Sequence, residues 1–351
     1  MPAARPGRDD VLALDPDQPA ARDPRRAGTG RARNPGRGAG RRRPRARERA
    51  ALETHLPGAR WYDSSEELLA DARLDFVDIA TPPSSHAPLI RRALERGLHV
   101  LCEKPLVHSL DDLGALRALA GRMGRVLHTV HNWHHAPIVR RTAALVREGA
   151  IGRVTRVDWH TLRTRPAVTN DGDEENWRFD PLIAGGGVLA DHGWHVFYVV
   201  QGWIGEAPQS VSARLETRRH TRWSVEDTAT VRLAYAHATA EILLTWAADE
   251  RRNWAAVTGA DGMIELQDDT LVLTRGGDST SRWLCPPALS GGGYHPDWFE
   301  AVADQFLAEV TGQAPRGANL DEASLCAALE HSARTSSLAG GRGVALTGVS
   351  G

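Results

Sequence analysis

The chain has 351 residues, 43 basic against 44 acidic side chains and a formal net charge of −1, with 41% hydrophobic and 25% charged residues. That length calls for about two domains, and that composition for an ordinary globular chain with material for a sizeable core. No apolar run reaches the roughly 18 residues of a membrane span, and residues 1–20 lack the apolar stretch of a secretory signal.

Residues 1–49 stand apart. Residues 1–50 hold 14 Arg and 7 Pro with no aromatic residue, and 14 Arg against 5 Asp and 1 Glu leave a local charge of +8. Such a segment buries too little apolar surface to offset its ordering entropy. Three readings fit it: a disordered basic tail, an arm for nucleic acid, or a stretch translated out of frame. The last is preferred. The arm lacks interleaved aromatic side chains to stack on bases, so no nucleic-acid partner is expected.

From residue 50 the pattern alternates. Asp75–Ala80 reads as a buried strand, and Thr81-Pro-Pro-Ser-Ser-His86 as a turn whose serines are placed to cap a helix. Ala87–Arg96 has helical spacing and stops at Gly97. Leu98–Cys102 is a second strand, Leu110–Met123 a helix stopped by Gly124, and Arg125–Val130 a third strand. This is the order of a parallel, doubly wound α/β sheet, Rossmann-like, with its first βαβ unit atypical or missing, over residues 50–134. Ligands of such sheets bind beyond the carboxyl ends of the strands, where Thr81, Lys104 and Asn132 fall.

Beyond residue 135 a helix is predicted over Ile138–Glu148. Strands follow at Val154–Leu162, Ser210–Glu216, Thr228–Tyr235, Ala238–Trp246, Trp254–Thr258, Met263–Leu266 and Thr270–Thr274. Helices near Pro296–Val310 and Asp321–Ser336 close the chain. Residues 135–340 therefore read as an α+β domain with an open, largely antiparallel sheet.

Three places carry chemistry. Of the 43 basic residues 42 are Arg, and the single lysine is Lys104. A compact, tunable ammonium is something a guanidinium cannot replace. In Gly185-Gly-Gly-Val-Leu-Ala-Asp191-His-Gly-Trp-His195 the glycines allow close approach to a ligand or a tight helix start, and Asp191 and His195 share one helical face. A carboxylate beside an imidazole fixes its tautomer and raises its basicity, although a purely structural pair fits equally well. His131-Asn-Trp-His-His135 matches no zinc spacing, so no metal is expected and a pocket lining is preferred. Cys102, Cys285 and Cys326 make neither a disulfide framework nor a CxxC site, which places the chain in a reducing, cytoplasmic setting.

Val77-Asp-Ile-Ala-Thr-Pro-Pro-Ser-Ser-His86, Glu103-Lys104-Pro105, Gly149-Ala-Ile-Gly152 and the Gly185–His195 stretch together resemble the Gfo/Idh/MocA family, the glucose–fructose oxidoreductase and inositol-dehydrogenase-like proteins, over about residues 50–340. The resemblance implies a Rossmann domain, an α/β domain with an open sheet, NAD or NADP, and a sugar, cyclitol or derivative as substrate. It assigns Lys104, Asp191 and His195 to catalysis. The cofactor would be contacted by Thr81, Pro82, His86, Glu103, Lys104, Asn132, Trp177 and Arg178, and the substrate by Trp133, His134 and His192. The expected reaction is hydride transfer between a secondary alcohol and nicotinamide, with His195 as base. A homodimer or tetramer is implied by analogy alone.

Two departures stand out. The family's GxGxxG unit is not found; Gly28-Thr-Gly30 and Gly36–Gly40 follow no apolar strand. Tyr198 stands where the family often has a second acidic residue. The competing readings are an inactive relative with a defective cofactor site and a non-catalytic sugar- or nucleotide-sensing module.

Overall fold

The computed structural model describes residues 11–12, 54, 59–70, 74–167, 176–276, 279–292 and 295–346. Apart from Val11–Leu12, the Arg/Pro-rich segment and its glycines lie outside the described residues. The contacts divide the chain into two units, one of residues up to Val130 with Phe299–Leu320, the other of His131–Trp298 with the rest of the C-terminus.

In the first unit, strands β2 (Phe76–Ile79), β3 (His99–Cys102) and β4 (Leu127–Thr129) are parallel and lie side by side in chain order. Val77, Ile79, Val100 and Cys102 are fully buried, the run of apolar residues that a sheet covered on both faces requires. The two-residue strand β1 (Val11–Leu12) pairs antiparallel with β2 and so does not supply the parallel strand that opens a dinucleotide fold.

The helices between the strands follow from their caps. Ser109 accepts the Asp112 N–H at 3.3 Å at the start of the Leu110–Met123 helix, where Asp111 and Asp112 also suit the helix dipole. Leu113, Leu116 and Ala120 form its buried stripe. The helix His86–Glu95 differs from expectation, because its serines do not cap it. The Ser85 hydroxyl turns back to Thr81 Oγ1 (2.5 Å) and Pro82 O (2.8 Å).

The C-terminal part of the Pro296–Val310 helix also belongs to this unit. Val302 and Phe306 pack with Leu101, Val126 and Val130. His128 Nδ1 lies 3.0 Å from Glu309 Oε1, and Asn319 brackets Thr129 by accepting its N–H and donating to its carbonyl.

The second unit is built on a nine-stranded sheet among the described residues. Its strands are β5 (Val154–Leu162), β6 (Ser210–Glu216), β7 (Thr228–Ala234), β8 (Thr239–Thr245), β9 (Arg252–Gly259), β10 (Gly262–Gln267), β11 (Thr270–Arg275), β12 (Ser279–Leu284) and β13 (Val344–Ala345). The spatial order is β12-β11-β10-β9-β5-β8-β7-β6-β13, with β5–β8 parallel and the other pairs antiparallel. Beside it, the Trp194–Ile204 helix is apolar nearly all round, and Trp194, Val196, Phe197, Tyr198 and Val200 are fully buried, as a central helix demands. Burying each valine and Phe197 stabilises the fold by about 1.5–3 kcal/mol.

Candidate functional site

The first unit presents a cluster at the carboxyl ends of β2 and β3. Glu103 N–H donates to Ile79 O at 2.8 Å, so the Glu103-Lys104-Pro105 turn is held against the end of β2. Glu103 Oε2 accepts the Lys104 N–H at 3.2 Å. Burial and the neighbouring Glu103 carboxylate push the Asp78 carboxyl up to about 7. Thr81 is buried at the start of the turn that follows β2. His86 is fully buried, with Nδ1 2.9 Å from Pro105 O and Nε2 2.8 Å from Thr81 O. Both ring nitrogens are committed to backbone, and His86 is the clasp that ties the post-β2 turn to the lysine turn.

The second unit holds a network of imidazoles and aromatic rings. A 3-10 turn, Asn132–His135, leads into the Pro137–Arg147 helix. Asp191 and His192 sit in a π turn, Leu189–Gly193, which continues into the Trp194–Ile204 helix; such turns recur at functional sites. His195 Nδ1 lies 2.8 Å from the Tyr198 hydroxyl, which also accepts the Trp133 N–H at 2.9 Å. The Trp133 ring stacks on His195 at 4.5 Å and 9° and also on Trp159. The Trp133 ring is buried and forms the shelf under the imidazole. Asp191 pairs with His192 Nδ1 at 3.2 Å and Arg178 Nε at 3.9 Å, and Arg178 lies over the Trp177 ring. Asp191, His192, Arg178 and Trp177 are thus one group, and Nδ1 of His195 is held by Tyr198.

The glycines of the Gly185–Gly187 run are required by the protein itself. A Cβ on Gly187 would lie 1.9 Å from the Glu226 backbone carbonyl, and one on Gly186, where φ is +158°, would meet the Arg334 guanidinium. Arg334 is held there by Glu330 and Glu226, and Glu226 also accepts the Leu189 N–H.

His131, His134 and Glu322 converge closely enough to hold a metal ion, but their hydrogen bonds argue against one. Trp194 Nε1–H donates to His131 Nε2 at 2.9 Å, so Nε2 carries the lone pair and Nδ1–H donates to Glu322 Oε2 at 2.5 Å. A metal-ligating histidine turns its lone pair to the ion and its N–H to an acceptor; here the lone pair faces an indole. His134 Nε2 reaches the other oxygen of Glu322 at 2.8 Å. Burial raises the Glu322 carboxyl, but the hydrogen bonds from His131 and His134 outweigh it and bring it down to about 2. Titrating the full chain with zinc in a calorimeter is expected to show no site here tighter than about 10 µM, a scale set by ordinary affinity arithmetic. Stoichiometric zinc uptake abolished by Glu322→Gln would contradict the hydrogen-bond assignment.

A nicotinamide dinucleotide finds a fitting group just beyond β4. Asn132 Oδ1 is buried without a hydrogen-bond partner, and an acceptor so placed suits a carboxamide N–H.

Two family profiles match the chain: "Oxidoreductase family, NAD-binding Rossmann fold" over residues 37–131 and "GFO/IDH/MocA C-terminal domain" over residues 139–265. The chain belongs to the Gfo/Idh/MocA oxidoreductase family. Among relatives in the family, a D-xylose 1-dehydrogenase (NADP(+)) of Haloferax volcanii is 36% identical over 168 residues, 48% of this chain and 49% of that one. A levoglucosan dehydrogenase of Pseudarthrobacter phenanthrenivorans is 33% identical over 150 residues, 43% of this chain and 38% of its own. These alignments span half or less of the relatives' lengths. The aldose–aldose oxidoreductase of Caulobacter crescentus shares the fold, with a TM-score of 0.72 at 24% identity over 86% of this chain and 89% of that chain.

The family match begins at residue 37, after Gly28 and Gly30. Three residues of the network escaped the motif reading. Glu322 lies about 190 residues from His131 in the chain and carries no local signal. Glu226 and Arg334 are also far in the chain from the glycines they pack against. Tyr198, three residues after His195, was in plain view as a departure from the family pattern.

Proposed function

We propose that this chain is an NAD(P)-dependent dehydrogenase that moves a hydride between nicotinamide and a secondary alcohol of a sugar, a cyclitol or a derivative. The observation that carries the reading is the one lysine of the chain standing at the carboxyl end of β3, where a doubly wound sheet binds its ligand. The names of the xylose and levoglucosan dehydrogenases support the substrate class. The cofactor, when bound, supplies the hydride chemistry. The chain's own residues handle position and the proton. Lys104 polarises the substrate oxygen with a compact ammonium, and His195 takes the hydroxyl proton. Asp191, beside His192 and Arg178, accepts a neighbouring substrate hydroxyl. Asn132 Oδ1 receives the carboxamide N–H.

The chain reads as cytoplasmic: its three cysteines are buried and unpaired, and among the described residues no helix is long and apolar enough to cross a membrane. A second reading is favoured by one observation, the missing strand–glycine–helix unit before residue 50, and makes the chain a relative with a defective cofactor site.

A screen of aldoses, polyols and cyclitols with NAD and NADP, read at the nicotinamide absorbance, tests the proposal. Turnover of at least one with a kcat in the ordinary enzymatic range of about 1–10³ per second is expected. Tight binding of a sugar with no reduction of either cofactor would overturn it in favour of a sensor.

A further inference from the structure

We propose that Tyr198 is the positioning residue of His195: by taking Nδ1, its hydroxyl makes Nε2 the nitrogen that exchanges the substrate proton. The proposal rests on the dehydrogenase reading and deepens it. A phenolic oxygen has two acceptor sites. The Trp133 N–H fills one at 2.9 Å, and the Nδ1–H of His195, 2.8 Å away, fills the other when Nε2 bears the lone pair. As the substrate O–H bond breaks, its proton forms Nε2–H, and Nδ1–H remains on Tyr198. In the oxidation direction the imidazolium then releases that proton to water, and in the reduction direction it delivers it to the carbonyl oxygen that becomes the hydroxyl.

The geometry is held on every side. The Trp133 ring lies parallel to the imidazole at 4.5 Å, which stops it turning out of plane. Tyr198 is fully buried, stacked on His131 at 4.4 Å and tilted against His134 at 4.6 Å. Both of those rings are fixed by Glu322. The ionisable groups packed on Tyr198 are therefore His131 and His134, at the start of and within the 3-10 turn, and behind them Glu322 on the C-terminal helix. A phenol in this position, in place of a carboxylate, adds no charge to stabilise the imidazolium.

Long-range ¹⁵N–¹H spectra of the full chain labelled at histidine test this without any turnover, with His195→Gln assigning the signal. The expected result is protonated Nδ1 and lone-pair Nε2 at mildly alkaline pH in the wild type, and a mixture of tautomers in Tyr198→Phe. In kinetics, Tyr198→Phe is expected to lose about 10–100-fold in kcat with KM nearly unchanged, part of the roughly 10²–10⁴-fold that acid–base catalysis supplies. Its acid limb should move to lower pH, because the imidazolium has lost an acceptor. Nε2-protonated His195 in the wild type, or an unmoved tautomer and acid limb in Tyr198→Phe, would overturn the proposal. Failure of every sugar to turn over would instead sink the dehydrogenase reading and leave the tautomer result standing.

Discussion

Lys104→Arg is expected to keep the fold and the dinucleotide affinity yet lose about 10²–10⁴-fold in turnover, the scale of a positioned proton-handling group. The chain gives the reason. Arginine fills 42 of its 43 basic positions, so a site needing only positive charge would be served by arginine. An ammonium is a compact donor on a flexible stem that can give up its proton; a guanidinium is a planar fork that stays charged. At the carboxyl end of β3 the side chain follows a backbone pinned by Ile79 O and Glu103, so a longer, flatter head group would carry its charge to a different point. Steady-state kinetics beside a dinucleotide titration check this. Near-normal turnover with cofactor bound would remove Lys104 from the chemistry.

Asp227→Ala is expected to cost about 3–5 kcal/mol of stability, a large part of the roughly 5–15 kcal/mol that holds a domain. Asp227 is fully buried and accepts the backbone N–H groups of Arg218, Arg219 and His220 at 2.8–2.9 Å, with the Thr228 hydroxyl at 2.9 Å. Removing it strands three backbone donors in the turn that leaves β6, each costing about 1–3 kcal/mol if left unmade. Melting should fall by roughly 6–20 °C for a unit of this size.

The acid dependence follows from the same contacts. Burial pushes the Asp227 carboxyl up, but the backbone donors and Thr228 outweigh it and hold it below the ordinary aspartate range. A lowered folded value gives stability that is present in full above the unfolded value of about 3.9 and is lost as pH falls through the lower folded value. Wild type should therefore lose this contribution in acid below about pH 4, and Asp227→Ala should lack that component. Thermal melts across pH separate the two; an unchanged melting temperature would mean that the turn is not held by this carboxylate.

Most strands of the second unit, β5 to β11, are legible because one face of each is buried. In Ser210–Glu216, Val211 and Ala213 point inward and the expected bounds match those observed. β12, Ser279–Leu284, was missed because it has no buried apolar alternation; its Ser-Thr-Ser-Arg run is exposed or half-exposed at the edge of the sheet. β9 begins two residues earlier than its apolar pattern, since buried Asn253 is held by Asp268 rather than by a hydrophobic face.

The candidate site divided the same way. Lys104 and His195 were visible through residue type and local spacing. The clasp role of His86 and the carboxylate that fixes His131 and His134 depend on long-range pairings, for which neighbouring residues carry no signal. The glycine run was legible as a close approach, but what approaches is the Glu226 backbone and Arg334.

The most direct test of the central claim is fluorescence titration of the purified, folded chain with NADH and NADPH. Saturable binding of at least one in the range of about 1–1000 µM, weakened by Asn132→Leu, is the predicted result. A folded chain that binds neither dinucleotide would contradict the account, whatever its family.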